Sequence, residues 1–89
     1  ADVAQLAMEQ GLRIAPNPAH DQIHVRLALQ DWTSASTMVV RDAMGRMLRE
    51  VSMWGGAMTL DARNWPRGVI YLTLSSADGA QVTRRVVLD

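Results

Sequence analysis

The stretch from Val39 to Val51, V-V-R-D-A-M-G-R-M-L-R-E-V, decides how the chain folds. Two runs that can alternate apolar and polar side chains flank the segment Asp42-Ala43-Met44-Gly45. Asp favours a turn because its side-chain oxygen accepts a bond from the backbone that follows, and Gly is free to take a positive φ. The stretch therefore predicts a β-hairpin with a tight turn at Asp42 to Gly45.

From Leu12 onward the rest of the chain also follows the two-residue period of strands. Turn residues separate the runs, at Pro16-Asn17-Pro18, Gly55-Gly56 and Ala77-Asp78-Gly79-Ala80. The predicted strands are Leu12 to Ala15, Gln22 to Leu29, Ser36 to Arg41, Met47 to Met53, Ala57 to Leu60, Val69 to Ser75 and Gln81 to Leu88. A chain of about seven short strands with regularly spaced turns closes its apolar faces as an antiparallel β-sandwich.

The first eleven residues differ from the rest of the sequence. Val3, Leu6 and Ala7 recur at helical spacing, and Asp2 with Gln5 resembles a capping box. So short a segment is either a frayed helical linker or disorder. We therefore expect residues 1–11 to be a tether and residues 12–89 to be one domain. The chain begins with Ala, and we expect it to be a fragment of a longer protein, although removal of an initiator Met would look identical.

Composition excludes several classes of protein. The chain has 89 residues, no Cys, and nine basic residues, all Arg, balanced by nine acids. Absence of Cys excludes disulfides and Cys-ligated metals, and scattered charges that sum to zero argue against a nucleic-acid partner. The apolar runs are too short for a transmembrane segment, and the N-terminus lacks the pattern of a signal peptide.

No group of residues predicts catalysis or metal binding. His20 and His24 have the four-residue spacing of a zinc pair, but on a strand that separation is roughly 13 Å, whereas a zinc ligand lies about 2 Å from the ion. We therefore expect both His side chains to face solvent. The serines lie in no nucleophile pattern, and the acids of the turns, Asp42, Asp61 and Asp78, are explained by turn formation. We expect no cofactor and no enzymatic activity.

Three features leave alternatives open. Arg84-Arg85 is either a recognition patch or a pair of charges that guards an edge strand. The methionines at positions 38, 44, 47, 53 and 58 are either adaptable core residues or a partner-binding surface. Trp32 is either a surface aromatic or, as we favour, a lid over one end of the sandwich.

The order of the motifs resembles a known family. Pro16-Asn17-Pro18 with Asp21 precedes a strand, and Asp42-x-x-Gly45-Arg46 follows. Then come Leu60-Asp61, Trp65-Pro66-x-Gly68-Val69 and a closing Thr83-Arg84-Arg85-Val86-Val87. This succession, from Leu12 to Asp89, is similar to the C-terminal sorting domain (type A) of proteins that the type IX secretion system of Bacteroidetes exports.

The resemblance implies an immunoglobulin-like sandwich that is an export signal and not an enzyme. Its partners would be a fused cargo, the outer-membrane translocon and a sortase-like peptidase that removes the domain and joins the cargo to anionic lipopolysaccharide. The protein would pass through the periplasm to the outer membrane, the cell surface or the medium. Cleavage would fall upstream of the sandwich, where we expect it among Ala1, Asp2, Ala4, Ala7 and Gly11.

The resemblance also implies which residues are recognised. Gly45 and Arg46 occupy the family's hairpin motif, Gly68 its turn, and the closing strand supplies Arg84, Arg85, Val86, Val87, Leu88 and Asp89. The chain departs from the family at Ile70, where an aromatic is usual, and at Asp89, where Lys or Arg is usual. We expect the last strand and its Arg pair to form the recognition edge, by main-chain pairing or by charge.

The alternative function is an immunoglobulin-like adhesion or carbohydrate-binding module of a secreted protein. Such a module would expose aromatics in a flat row, for which Trp32, Trp54 and Trp65 are the candidates. An exposed edge strand also makes a homodimer possible.

Overall fold

The computed structural model describes residues 9–27, 36–53, 56–77 and 79–89. Within them the chain forms seven β-strands: β1 (Leu12–Ala15), β2 (Gln22–Leu27), β3 (Ser36–Asp42), β4 (Met47–Met53), β5 (Ala57–Asp61), β6 (Gly68–Ser76) and β7 (Gln81–Leu88). Each predicted strand is present, with bounds that differ by one residue in β3, β5 and β6. The extension of β2 to Leu29 and the expectation for Trp32 concern positions outside the described residues.

The strands form two antiparallel sheets, ordered β1-β2-β5 and β4-β3-β6-β7. The immunoglobulin constant-type sandwich has a sheet of its first, second, fifth and fourth strands against one of its third, sixth and seventh. The present order differs from that one only because β4 pairs with β3. The prediction of an immunoglobulin-like, all-β sandwich is confirmed.

The core lies between the two sheets and follows the alternation of the sequence. In β2 and β6 every second side chain is buried, whereas the intervening ones are exposed or half-buried. The buried aliphatic residues of the three-stranded sheet are Leu12, Ile23, Val25, Leu27 and Leu60, and those of the four-stranded sheet include Met38, Val40, Met53, Ile70, Leu72, Leu74, Val82, Val86 and Leu88. Burial of these faces is what drives the two sheets together.

The methionines divide between the two alternatives. Met38 and Met53 are buried core residues and Met58 packs against the core. Met44 and Met47, by contrast, are 91% and 49% exposed. The core interpretation therefore holds for three of these side chains and fails for the two beside the β3–β4 turn.

The β3–β4 hairpin contains an irregularity that sets which side chains share a face. The register shifts between Val40 and Arg41, so that Val40 lies opposite Arg49 and Arg41 lies opposite Met47. The intervening residue of β4 is the extra residue of a β-bulge. As a result, Met47 lies on the solvent face beside Arg41. No helix in the part of the chain that the structure describes is long and apolar enough to cross a membrane.

Candidate recognition site at the end of the sandwich

The turn of the β3–β4 hairpin is built on the carboxylate of Asp42. Its Oδ1 accepts the backbone N–H groups of Met44 and Arg46, each at 2.9 Å, and its Oδ2 accepts Nε of Arg46 at 3.0 Å. The Asp42 side chain is only 8% exposed. The bond from the Arg46 backbone is the main cause that lowers the pKa of Asp42, and it outweighs burial, which raises it. The predicted turn is confirmed, and Arg46 is fixed at its tip.

Two of the predicted site residues are glycines with positive φ. Gly45 has φ 86° at the hairpin turn and Gly68 has φ 115° where β6 begins. A Cβ atom at either position would meet no atom within 4 Å, so the constraint there is on the backbone and not on packing. Both glycines thus have a structural reason for their identity, independent of any recognition.

The hairpin tip lies beside the segment that leads into β6. A groove of about 230 Å³ separates them and is lined by Asp42, Ala43, Met44, Arg46, Pro66, Arg67 and Val69. Gly68 pairs with Leu88 of β7. The structure therefore brings the predicted residues of the hairpin, of the β6 start and of the β7 end to the same end of the sandwich.

The outer edge of β7 is paired over its last residues. The N–H of Ala19 donates to the carbonyl of Val87 at 2.8 Å, and the N–H of Asp89 donates to the carbonyl of Ala19 at 2.9 Å. Asn17 extends this pairing: its Oδ1 accepts the N–H of Val87 at 3.1 Å and its Nδ2 donates to the carbonyl of Arg85 at 3.4 Å. The segment that follows β1 thus covers the part of the edge to which a partner strand would add.

Arg67 joins the same end of β7 to the β5–β6 connection. Its Nη1 donates to the carbonyl oxygens of His20, at 2.7 Å, and Asp89, at 3.4 Å, and its Nη2 donates to the carbonyl of Ala62. We name the set Asn17, Ala19, His20 and Arg67 the clasp, because it binds the main chain from Arg85 to Asp89. Sequence reasoning missed Arg67, which occupies the unspecified position of Trp65-Pro66-x-Gly68.

His20 adds a weak polar contact to the clasp. Its Nδ1 lies 3.2 Å from the main-chain oxygen and 3.3 Å from Oδ1 of Asp89, and its Nε2 lies 3.4 Å from Oδ1 of Asp21. All three side chains are more than half exposed, so these pairs contribute little to stability. They do place Asp89 beside Arg67 and His20.

The two arginines of the last strand lie on opposite faces. Arg84 is half-buried on the core side, opposite Leu72, and its Nη2 donates to the carbonyl of Glu9 at 2.6 Å. Arg85 is exposed on the outer face, opposite Tyr71. The interpretation of Arg84-Arg85 as two outward charges is therefore wrong for Arg84, because strand alternation turns it toward the core.

The predicted cleavage residues are described only at Gly11. Residues 9–11 are helical, Gly11 is buried, and β1 follows directly at Leu12. Ala1, Asp2, Ala4 and Ala7 lie outside the described residues. A buried residue is a poor peptidase target, because cleavage needs an accessible, extended segment.

Both His side chains face solvent as predicted, and of the acids assigned to turns Asp42 and Asp61 are described, whereas Asp78 lies outside the described residues. His20 and His24 are both exposed, and Nδ1 of His24 lies 3.1 Å from the hydroxyl of Thr59. The Asp61 carboxylate accepts hydrogen bonds from Nη2 of Arg63 at 2.9 Å and from its Nε at 3.0 Å, and these bonds lower the pKa of Asp61 to about 2. No group of three or more His, Cys, Asp or Glu that could hold a metal ion occurs among the described residues.

One family model matches the chain. It is described as a secretion system C-terminal sorting domain, and it matches residues 13–89. No curated protein matches the chain. The matched range includes all seven strands and the clasp, apart from the first residue of β1.

Proposed function

Because the chain belongs to the family of secretion system C-terminal sorting domains, we propose that it directs a fused cargo across the outer membrane through recognition of one end of its sandwich. Membership implies a type IX sorting signal, a cargo fused to it, and export to the cell surface or the medium. It is not an enzyme family. The resemblance seen in the sequence is thereby confirmed at the level of the family.

The observation that carries the proposal is the convergence of the family's motifs. The hairpin tip with Gly45 and Arg46, the start of β6 at Gly68, and the end of β7 lie around one groove and one clasp. Residues distant in sequence thus form a single surface that a translocon can contact on the folded domain. Residues 12–89 are the domain in this proposal, and residues 1–11 are the tether.

The clasp favours one mode of recognition over the other. Main-chain pairing by a partner strand requires free N–H and C=O groups along an edge. From Arg85 to Asp89 the outer edge of β7 is already bonded to Asn17 and Ala19. We therefore propose that the folded domain is recognised through exposed side chains, Arg46 and Arg85 first, and not by strand addition to β7.

The later steps follow the family's implied pathway. The domain passes through the periplasm on its cargo, and a sortase-like peptidase then removes it and joins the cargo to anionic lipopolysaccharide. Because Gly11 is buried, we place the scissile bond upstream of it, in residues 1–8. The sandwich then stays folded as a handle while the tether is cut.

The test is export of a reporter. Residues 12–89, with and without residues 1–11, are fused to a reporter that carries a signal peptide, in a host with a type IX system. We expect the reporter at the surface, dependent on the translocon, and shortened by the mass of the domain only when residues 1–11 are present. Retention of every intact fusion in the periplasm would contradict the sorting function and leave the binding module as the alternative.

Point variants separate recognition from folding better than truncation of the last strand does. Deletion of residues 86–89 removes the buried side chains of Val86 and Leu88, so we expect it to unfold the domain as well as to remove a signal. Arg85→Gln leaves the core and the main-chain clasp intact. Lower export of the folded Arg85→Gln fusion supports side-chain recognition, and undiminished export contradicts it.

The glycan-binding alternative gains no support from Trp65, which is the one candidate tryptophan among the described residues. Trp65 is half-buried and packs against the core, so it is not part of a flat exposed row. Trp32 and Trp54 lie outside the described residues.

A further inference from the structure

A row of four side chains crosses the outer face of the four-stranded sheet. Met47 of β4 lies opposite Arg41 of β3, Arg41 lies opposite Tyr71 of β6, and Tyr71 lies opposite Arg85 of β7. Side chains directly opposite each other on antiparallel strands have Cβ atoms about 5 Å apart. We name Met47, Arg41, Tyr71 and Arg85 the outer row. Of these four, Arg85 belongs to the residues that the resemblance implies are recognised, and Met47 to the methionines for which a partner-binding surface is the alternative to the core.

The outer row is exposed and has an apolar surround. Met47 is 49% and Tyr71 38% exposed, and both arginines are exposed. Three half-buried valines on the same face flank the row: Val39, Val69 and Val87. The solvent face of an antiparallel sheet is normally polar. Here a Tyr, a Met and three Val surround two cations, so this solvent-exposed face is unusually apolar.

The two guanidinium groups of the row have no described partner. Three neighbouring arginines do have partners: Arg46 is paired with Asp42, Arg63 with Asp61, and Arg67 with main-chain carbonyl oxygens. Within the described ranges, no ion pair or side-chain hydrogen bond involves the guanidinium group of Arg41 or Arg85. Their strands are two apart in the sheet, which separates the two side chains by about 10 Å.

We propose that the outer row is a docking surface for an acidic protein surface of the export machinery. The proposal rests on the sorting function and names a site for it. Each Arg is suited to a bidentate contact with a carboxylate. Tyr71 supplies an apolar contact between the two arginines, and Met47 supplies another on the far side of Arg41. Aromatic residues, Met and Arg are the types enriched in protein interfaces, and Tyr and Arg are frequent hot spots.

The composition favours a protein over a polyanion. A site for an acidic polymer would continue its positive charge along the face. The next row on this face carries Glu50, Val39, Thr73 and Thr83 and therefore adds a negative charge. Thr73 and Thr83 share a hydrogen bond of 2.9 Å, and in the row after it Gln81 Nε2 donates to Ser75 Oγ at 3.1 Å. Two charges around one aromatic fit a local acidic patch on a protein.

The experiment uses the reporter fusion of residues 1–89. In the double variant Arg41→Glu/Arg85→Glu, two carboxylates would face the partner's acids, and we expect surface reporter to fall at least tenfold while intact fusion accumulates in the cell. Tyr71→Ala should also reduce export. The matched control is Arg26→Glu, because Arg26 is exposed on the outer face of the other sheet, and we expect it to export normally.

A second variant guards against loss of the fold. Arg41→Gln/Arg85→Gln removes both charges and keeps the length of each stem, and thermal unfolding of each purified fusion shows whether the sandwich persists. Lower export of this folded variant, with Arg26→Glu unaffected, supports the docking surface. Equal export of wild type and both double variants overturns it.

The remaining outcomes separate the two proposals. Failure of the wild-type fusion to be exported overturns the sorting function and the docking surface together. If export is unchanged but the purified domain binds polygalacturonate, and both Gln substitutions abolish that binding, the row is a glycan site and the protein-docking proposal is wrong.

Discussion

Single residues of the hairpin turn have structural duties that also explain their identity. Asp42 bonds two backbone N–H groups and the guanidinium group of Arg46, and Gly45 takes the positive φ that the turn requires. A non-Gly residue in the left-handed region costs about 1–2 kcal/mol. A substitution in this turn therefore changes stability as well as any contact with the translocon, and the two effects need separate measurements.

Protonation of the turn carboxylates should weaken the fold in acid. The pKa values of Asp42 and Asp61 are lowered from their ordinary value of 3.8, that of Asp61 to about 2. A depressed pKa means that the folded state holds the charged form better, so each group stabilises the fold above pH 3.8 and loses that effect as the pH falls through its folded value. We expect the free energy of unfolding to decrease as the pH falls below about 4, which is the ordinary pKa of an Asp carboxyl.

Asp42→Asn tests this titration. We expect its deficit in the free energy of unfolding, measured by urea denaturation, to be largest at neutral pH and to shrink as the pH falls below 3.8. Glu50→Gln, at an exposed position of β4, serves as the control. A deficit of the same size at every pH would show that the variant loses turn geometry and not charge.

At the scale of elements, the clasp determines which strand edges remain open. β7 is an edge strand of its sheet, yet the last residues of its outer edge are hydrogen-bonded to Asn17 and Ala19. β4, at the other side of the same sheet, has no strand partner on its outer edge within the described residues. If the domain pairs with a second copy through an edge, β4 is therefore a better candidate than β7.

Removal of Asn17 should open the edge of β7 locally. In Asn17→Ala the N–H of Val87 and the carbonyl of Arg85 lose their side-chain partners. A hydrogen bond of this kind contributes about 1 kcal/mol, so we expect hydrogen exchange at the Val87 amide to be about fivefold faster. The measurement is amide exchange by NMR on residues 12–89.

The control for this variant is Asn64→Ala. Asn64 is exposed in the connection between β5 and β6, and among the described residues no hydrogen bond joins its side chain to β7. Its substitution should leave the exchange of the Val87 amide unchanged. If Val87 exchanges at the rate of an unprotected amide already in the wild type, Asn17 does not hold the edge closed.

The sequence predicts the strands well and the clasp poorly, for a physical reason. Alternation and turn residues are local, and they specify β2, β6 and the hairpin of β3 and β4 without knowledge of their partners. The bonds from Asn17 to β7 and from Arg67 to Asp89 join residues far apart in the chain. Only the assembled sandwich shows them, because Asn17 is also an ordinary turn residue and Arg67 an ordinary surface cation in the sequence.

The side on which each residue of the outer row lies was only partly predictable. Strand alternation places Tyr71 opposite the buried face of β6, as expected from the sequence. The neighbour relation of Met47 with Arg41 depends on the bulge in β4, which no residue type in that strand signals. The row was therefore not visible until the register was known.

At the scale of the whole molecule, stability depends on one small core between two sheets, with no disulfide. The side chain of Leu72, in the middle of β6, is fully buried within that core. A sandwich of this size has little apolar area to lose, since small domains bury a smaller fraction of their surface. Recognition of the folded surface by the export machinery should therefore be lost when a substitution in the core unfolds the domain.

Leu72→Ala tests whether the fold itself is the signal. We expect it to lower the free energy of unfolding of residues 12–89 by about 2–5 kcal/mol, measured by urea denaturation, because it leaves a cavity in the core. Ser52→Ala, at an exposed position of β4, should change that free energy by less than about 0.5 kcal/mol. If the assembled end of the sandwich is recognised, export of the reporter should fall with the folded fraction in Leu72→Ala and stay normal in Ser52→Ala. Full export of an unfolded Leu72→Ala fusion would show instead that the last residues are recognised as an extended peptide, and that the clasp and the outer row are not needed.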